Sequence, residues 1–241
     1  IAGFVMGGLG IAACFFINAA SFGAVLVSLL FIHTSSEPVA KSERKGVFES
    51  IREGLGYIRG RNALLVTLLI TAVVSTFAPN FSVTIPVFAT QVLGQSETGY
   101  GLLMSAMGAG ALCAALIVAA LSKNGPRRFN LFVVPVLTGI ALVAIGLTNT
   151  FAVTCLALVA GGFLFVSYIA SANSNMQIHT DDRYRGRVMS VYTFISAGST
   201  PIGNLFVGSM DNWLGARAGF LASGAAIVVL MIPLYIYLYH K

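Results

Sequence analysis

The stretch Thr180-Asp181-Asp182-Arg183-Tyr184-Arg185-Gly186-Arg187-Val188-Met189-Ser190-Val191-Tyr192 sets two acids and three arginines within the seven residues 181–187. Apolar sequence runs for a membrane's width on either side, Phe151–Ala172 before it and Val188–Met210 after it. A charged turn between two runs of about 20 apolar residues marks a chain leaving a hydrocarbon core about 30 Å thick and re-entering it. Thr180 is placed to cap a helix whose first turn holds Asp181 and Asp182, where the helix dipole favours acids.

Working outward, the same alternation covers the chain. Ala12–Ile32, Leu64–Thr90, Gly101–Leu121, Leu131–Leu147 and Gly219–Tyr239 are further spans, which makes seven, with a short apolar remnant Ile1–Gly8 in front. Across 241 residues 57% are hydrophobic and 9% charged, against about 25% charged in soluble domains. The fold class is therefore an all-α multi-pass membrane protein. Alternate loops divide the basic residues. One set holds Lys41, Arg44, Lys45, Arg52, Arg59, Arg61, Lys123, Arg127, Arg128, Arg183, Arg185, Arg187 and Lys241, and the other holds Arg217 alone. That asymmetry sets the first group on the cytoplasmic side, with the C-terminus inside. It also accounts for the net charge of +6 without a nucleic-acid partner.

Three regions follow. Residues 1–32 are read as the end of one helical bundle, beginning inside a helix as the tail of a longer chain. Residues 33–62 form a cytoplasmic linker, and residues 63–241 a second bundle of six helices. Within the linker Phe48, Ile51, Leu55 and Ile58 share one helical face while Glu49, Arg52, Glu53 and Arg59 take others, the pattern of an amphipathic helix at a membrane surface. A weak internal repeat, in which Ala20, Ser21, Ala24 and Val27 recur as Ala222, Ser223, Ala226 and Val229, fits two related halves.

Several chemistries are excluded. Cys14, Cys113 and Cys155 lie in apolar runs with no paired spacing, and His33, His179 and His240 stand far apart at span ends, so neither a metal site nor a cofactor is expected. An enzyme would need a buried nucleophile–base pair. No ionisable side chain lies well inside a span from Leu64 to Tyr239; Glu97 and Asp211 fall on the outer side.

The polar residues within spans are hydroxyls and amides. Thr67, Thr71, Ser75 and Ser82 share a face of 64–90, where Pro79 and Pro86 interrupt the helix beside Asn80. Thr193, Ala197, Thr200 and Asn204 form a stripe on 188–210. Tyr168, Ser171 and Asn175 follow helical spacing on the span before the turn, with Asn173 and Gln177 beside them. Such groups line a solvated substrate cavity or hydrogen-bond between helices, a bond worth about 0.6 kcal/mol on average; Asn80, Tyr168, Asn173, Thr200 and Asn204 are the cavity candidates. Gly101, Ser105, Ala106, Gly108 and Gly110 read as a packing face. The arginines of the opening turn either anchor to lipid phosphates or form a gate.

The long basic linker before six further helices resembles the second half of a major facilitator superfamily transporter. More narrowly, Asp181–Ser190 resembles the Arg-Gly-Arg-Val-Met-Ser loop of the enterobactin-exporter and macrolide-efflux branch, as do Cys14–Ser21 and Ile51–Leu64. The resemblance covers essentially the whole chain, starting late in the fifth of twelve helices. It implies a major-facilitator-type bundle in the plasma membrane, the inner membrane of a bacterium. It further implies proton-coupled efflux of a small amphipathic compound, a drug or siderophore, with the proton-binding carboxylate upstream of Ile1, so that this segment alone does not pump. It makes Asp181, Asp182, Arg185, Arg187, Arg127 and Arg128 the cytoplasmic gate. The family's loop between helices 8 and 9 usually carries an Asp-Arg pair; here Ser122-Lys123-Asn124-Gly125-Pro126-Arg127-Arg128 lacks the acid. A non-transporting scaffold or sensor on the same fold is the alternative.

Overall fold

The computed structural model describes residues 2–31, 47–78, 80–121, 125 and 127–239. Lys41, Arg44, Lys45, Lys123, Lys241, His33, His240 and Pro79 lie outside the described residues, as do the side chains of Cys14 and Phe48. Among the described residues the chain forms helices and no strand: α1 (Ala2–Leu30), α2 (Val47–Arg59), α3 (Asn62–Phe77), α4 (Phe81–Gln91), α5 (Glu97–Leu121), α6 (Arg128–Leu147), α7 (Phe151–Ile178), α8 (Asp182–Leu214) and α9 (Ala218–Tyr239). The all-α, major-facilitator-type bundle expected from the sequence is observed. The chain divides into two compact units, Ile1–Gly46 and Val47–Lys241.

In the first unit α1 is one helix of 29 residues, where the sequence reading separates Ile1–Gly8 from Ala12–Ile32. The stretch between them, residues 9–11, holds Gly10, which weakens a helix by about 1 kcal/mol, but neither a proline nor a charge to end one. From Phe15 to Phe31 its large apolar side chains are exposed.

In the second unit α3 is the central element. It touches α2, α6, α7, α8 and α9, and its buried residues are both apolar, Leu64, Val66, Leu68, Ile70 and Val74, and polar, Thr67, Thr71 and Ser75. The expected single span 64–90 is two helices. α3 ends at Phe77, and α4 begins at Phe81 with the N–H groups of Val83 and Thr84 on the Asn80 carbonyl. Pro86 sits inside α4 without ending it. The break also rotates the polar face: Thr84 is buried while Ser82 is exposed.

Five segments among the described residues are long and apolar enough to cross a membrane: 62–91, 97–121, 128–147, 151–178 and 218–237. At 33 residues α8 is the longest helix among the described residues, and at 1.5 Å per residue it is about 50 Å long. Its shortfall is composition, because Thr193, Ser196, Ser199, Thr200 and Asn204 fall along its middle. The span expected at 188–210 is helical throughout but too polar to count by apolarity.

The opening turn is tighter than the sequence implies. α7 runs on to Ile178 and takes in Asn173, Asn175 and Gln177, and α8 begins at Asp182, so only 179–181 lie between. Thr180 does not cap α8: its hydroxyl donates back to the Met176 carbonyl at 2.5 Å, and Asp181 takes the capping position.

Backbones meet at small residues. A Cβ on Gly110 would stand 1.9 Å from the Val159 carbonyl oxygen, and one on Gly203 only 1.7 Å from that of Thr76. These two crossings hold α5 against α7 and α8 against α3. The glycine face expected on α5 is thus split, for Gly101 and Gly108 have nothing within 4 Å.

Candidate functional site

Between α3, α7 and α8 lies an open cavity of about 390 Å³ lined by Ser75, by Phe165, Ile169 and Asn173, and by Tyr192, Thr193, Ser196, Ala197 and Thr200. Positions 193, 196, 197 and 200 follow the i, i+3, i+4, i+7 spacing that puts side chains on one helical face. Ser75 and Ser196 close the α3–α8 side with their hydroxyls 3.3 Å apart. The Tyr192 hydroxyl is buried with no hydrogen-bond partner. No lining residue is charged. A volume within the ordinary range of ligand sites, rings on one wall and hydroxyls and an amide on the others, suits an amphipathic molecule.

Of the five cavity candidates the structure brings Asn173 and Thr200 to this wall. Asn173 accepts a hydrogen bond from Gln177. Tyr168 is wholly buried between α3 and α7, its hydroxyl 2.9 Å from that of Thr71, while Asn175 donates to Thr67 at 2.9 Å. This polar seam holds two helices together, as an interhelical hydrogen bond does in lipid. Asn80 is 3% exposed and donates to the Thr76 and Phe77 carbonyls at 2.9 and 3.2 Å, satisfying the end of α3 where the chain breaks. Asn204 lies one turn beyond Thr200, its Oδ1 buried and unpartnered. The sequence reading missed Phe165, Ile169, Tyr192 and Ser196; the spacing of Ser196 from Thr193 and Thr200 was the available signal.

At one end of the bundle the six gate candidates gather at the starts of α6 and α8. Here α2 lies along the start of α8, so close at Gly54 that a Cβ would be 3.0 Å from the Arg187 carbonyl oxygen. Glu53 pairs with Arg187 at 2.5 Å, both half-buried, and Arg61 pairs with Asp181 at 2.9 Å. The Tyr57 ring stacks on Tyr184 at 4.5 Å, its hydroxyl accepts the Asp181 N–H at 3.0 Å, and the Arg61 guanidinium lies 4.4 Å over the same ring. Stacked rings add about 0.5–1.5 kcal/mol and an exposed cation over a ring about 0.5–1 kcal/mol. Asp182 and Arg185 pair within the first turn of α8 at 2.6 Å. Arg127 and Arg128 are exposed at the start of α6. The carboxylate opposite Arg187 thus comes from the linker helix, where Glu53 and Tyr57 stand one turn apart, and Arg61 follows just beyond its end.

A family profile described as transmembrane secretion effector matches residues 1–239. Among curated proteins the chain is 27% identical over 239 residues to the multidrug efflux pump Tap of Mycobacterium tuberculosis, covering 95% of this chain and 56% of that protein. It is 25% identical over 234 residues to the pump of the same name from Mycolicibacterium fortuitum, with the same two coverages. The chain thus spans about half the length of the curated relatives it matches. No solved structure matches it.

Proposed function

Because this chain belongs to the transmembrane secretion effector family of major facilitator transporters, we propose that its helices supply one of the two bundles of a proton-coupled exporter. The substrate is a small amphipathic compound, a drug or siderophore, held in the cavity between α3, α7 and α8. The observation that carries this reading is the uncharged, ring-and-hydroxyl lining of that cavity, and the relatives named as multidrug efflux pumps support it. The end bearing Arg61, Arg127, Arg185 and Arg187 faces the cytoplasm, by the bias of basic loops. There the gate works through the linker: Arg187 on Glu53 ties α2 to α8, and Asp181 on Arg61 ties the residues just after α2 to the same end, so any tilt of α8 moves the linker with it.

The test uses single cysteines in the full-length transporter. Cysteine at Asn173 or Thr200 is labelled by a membrane-impermeant thiol reagent and protected by a transported dye, while cysteine at Thr71 is not labelled. Protection of Asn173 and Thr200 from the reagent in every condition would favour a non-transporting scaffold. A reporter fused after Lys241 reads the orientation, and an external signal there would reverse it.

A further inference from the structure

Among the described residues Asp211 is the one buried acid, 8% exposed, near the end of α8 away from the arginines. Its Oδ1 accepts the Gly219 N–H at 2.8 Å, so closely that a Cβ on Gly219 would stand 2.5 Å from that oxygen. Its Oδ2 is buried and has no hydrogen-bond partner. Arg217, in the loop that follows α8, turns elsewhere, donating to the Gly146 carbonyl and to Asn149 Oδ1. Of the helices packed on α8, α3, α4, α7 and α9 carry no acidic or basic side chain, and α2 meets α8 at Arg187, the opposite end. Cys155 on α7 is a further titratable group in the half of the bundle where Asp211 lies, and Glu97 begins α5, which is not packed on α8. A carboxylate removed from water without a counter-charge either holds a proton or is poised to take one.

Its place on α8 gives the second observation. At 3.6 residues per turn, Thr193, Thr200, Asn204 and Asp211 fall within about 40° of one another, and the first two line the cavity. Asn204 Oδ1 is buried without a partner, as are Asn80 Oδ1 and Ser223 Oγ. The last two share a void of about 10 Å³ that Gly219 also lines, and Asn80 lies against Gly203, beside Asn204. Native structures leave few buried polar groups unpaired, and a small void bordered by several of them is where a protein holds water.

We propose that Asp211 is a proton-binding site, reached from the cavity along the polar stripe of α8 and the unpaired groups Asn204, Asn80 and Ser223. The proposal rests on the exporter reading and moves the coupling carboxylate, or one of two, into this bundle. The step is protonation alone: Oδ2 takes a proton from a hydronium delivered along the stripe, leaving water, and returns it by the same route. Oδ1 keeps the Gly219 N–H in both states, so the start of α9 stays tied to α8 while the buried charge appears and disappears.

The experiment compares the full-length protein with Asp211→Asn, whose side-chain oxygen still accepts from Gly219, and Asp211→Ala, which loses that bond. Infrared spectra taken across a pH titration are expected to show a carboxylic-acid band that Asp211→Asn lacks. In everted vesicles, dye efflux by Asp211→Asn is expected to lose its dependence on an imposed pH gradient at unchanged thermal stability, whereas Asp211→Ala is less stable. A titrating band that persists in Asp211→Asn, or wild-type gradient dependence in that variant, overturns the proposal. A band lost in Asp211→Asn, with wild-type efflux indifferent to the gradient, keeps the proton site and overturns proton coupling instead.

Discussion

Gly203→Ala is the substitution whose consequence the structure specifies most tightly. The added Cβ would stand 1.7 Å from the Thr76 carbonyl oxygen, 2.8 Å from its carbon and 2.9 Å from Asn80 Nδ2. Two of those atoms are backbone, so no rotamer change relieves the clash and α8 must move off α3 or tilt. Overpacking of this kind costs about 1–3 kcal/mol. Replacing a helical glycine by alanine also gains about 1 kcal/mol of helix propensity, which would mask part of the loss. Gly198 and Gly208 lie on the same helix with nothing within 4 Å, so Gly198→Ala and Gly208→Ala carry the propensity gain without the clash. The difference between Gly203→Ala and these controls therefore isolates the overpacking, about 1–3 kcal/mol. At roughly 2–4 °C per kcal/mol for a chain of this size, that separates their melting midpoints in detergent by several degrees. The crossing adjoins Ser75 and Ser196, so thiol labelling of a cysteine at Thr200 should also rise in Gly203→Ala. Equal midpoints for all three variants would mean that α8 does not pack on α3 at Gly203.

Two further outcomes follow from the polar contacts. Tyr168→Phe removes a hydroxyl whose partners are the Thr71 side chain at 2.9 Å and, more distantly, the Thr67 carbonyl at 3.5 Å; it should lower stability by about 0.6–1.7 kcal/mol and leave efflux intact. Loss of efflux at wild-type stability would put that hydroxyl on the transport path. Charge reversal at the α2–α8 clamp, Glu53→Arg with Arg187→Glu, should recover efflux that either single change impairs. Their coupling in a double-mutant cycle should be about 1 kcal/mol, and strictly additive effects would show that the pair does not act as a unit.

The fold was legible because the bilayer simplifies the reading: blocks of apolar residues, charged turns and a lopsided count of basic residues each report a physical boundary. What escaped was where backbones satisfy themselves. Thr180 is a good capping residue in isolation, yet its hydroxyl bonds back to Met176, because the last turn of α7 also leaves carbonyls open. The stripe Thr67, Thr71, Ser75, Ser82 holds for three members and fails at the fourth, since Ser82 belongs to a separate helix, α4, that begins at Phe81. Tyr168 looked like a cavity residue by residue type. Only packing shows that its ring fills the α3–α7 seam with no surface exposed.

The polarity of α8 ties these outcomes together. Scored by apolarity, α8 falls short of the five segments that qualify as spans, though it is the longest of the described helices. A helix facing only lipid could not tolerate Thr193, Ser196, Thr200, Asn204 and Asp211, because each unsatisfied polar group in hydrocarbon costs several kcal/mol. Those residues are tolerated because one face of α8 is turned to the cavity wall, to Gly203's contact with α3 and to the Asp211–Gly219 bond, while Phe194, Ile202 and Leu205 stand exposed on the other. The opening turn acquires its significance from the same helix. It is the end of the bundle's most polar element, held by Glu53, Tyr57 and Arg61, with the buried carboxylate near the far end. A change at either end of α8 can reach the cavity between them through one continuous helix.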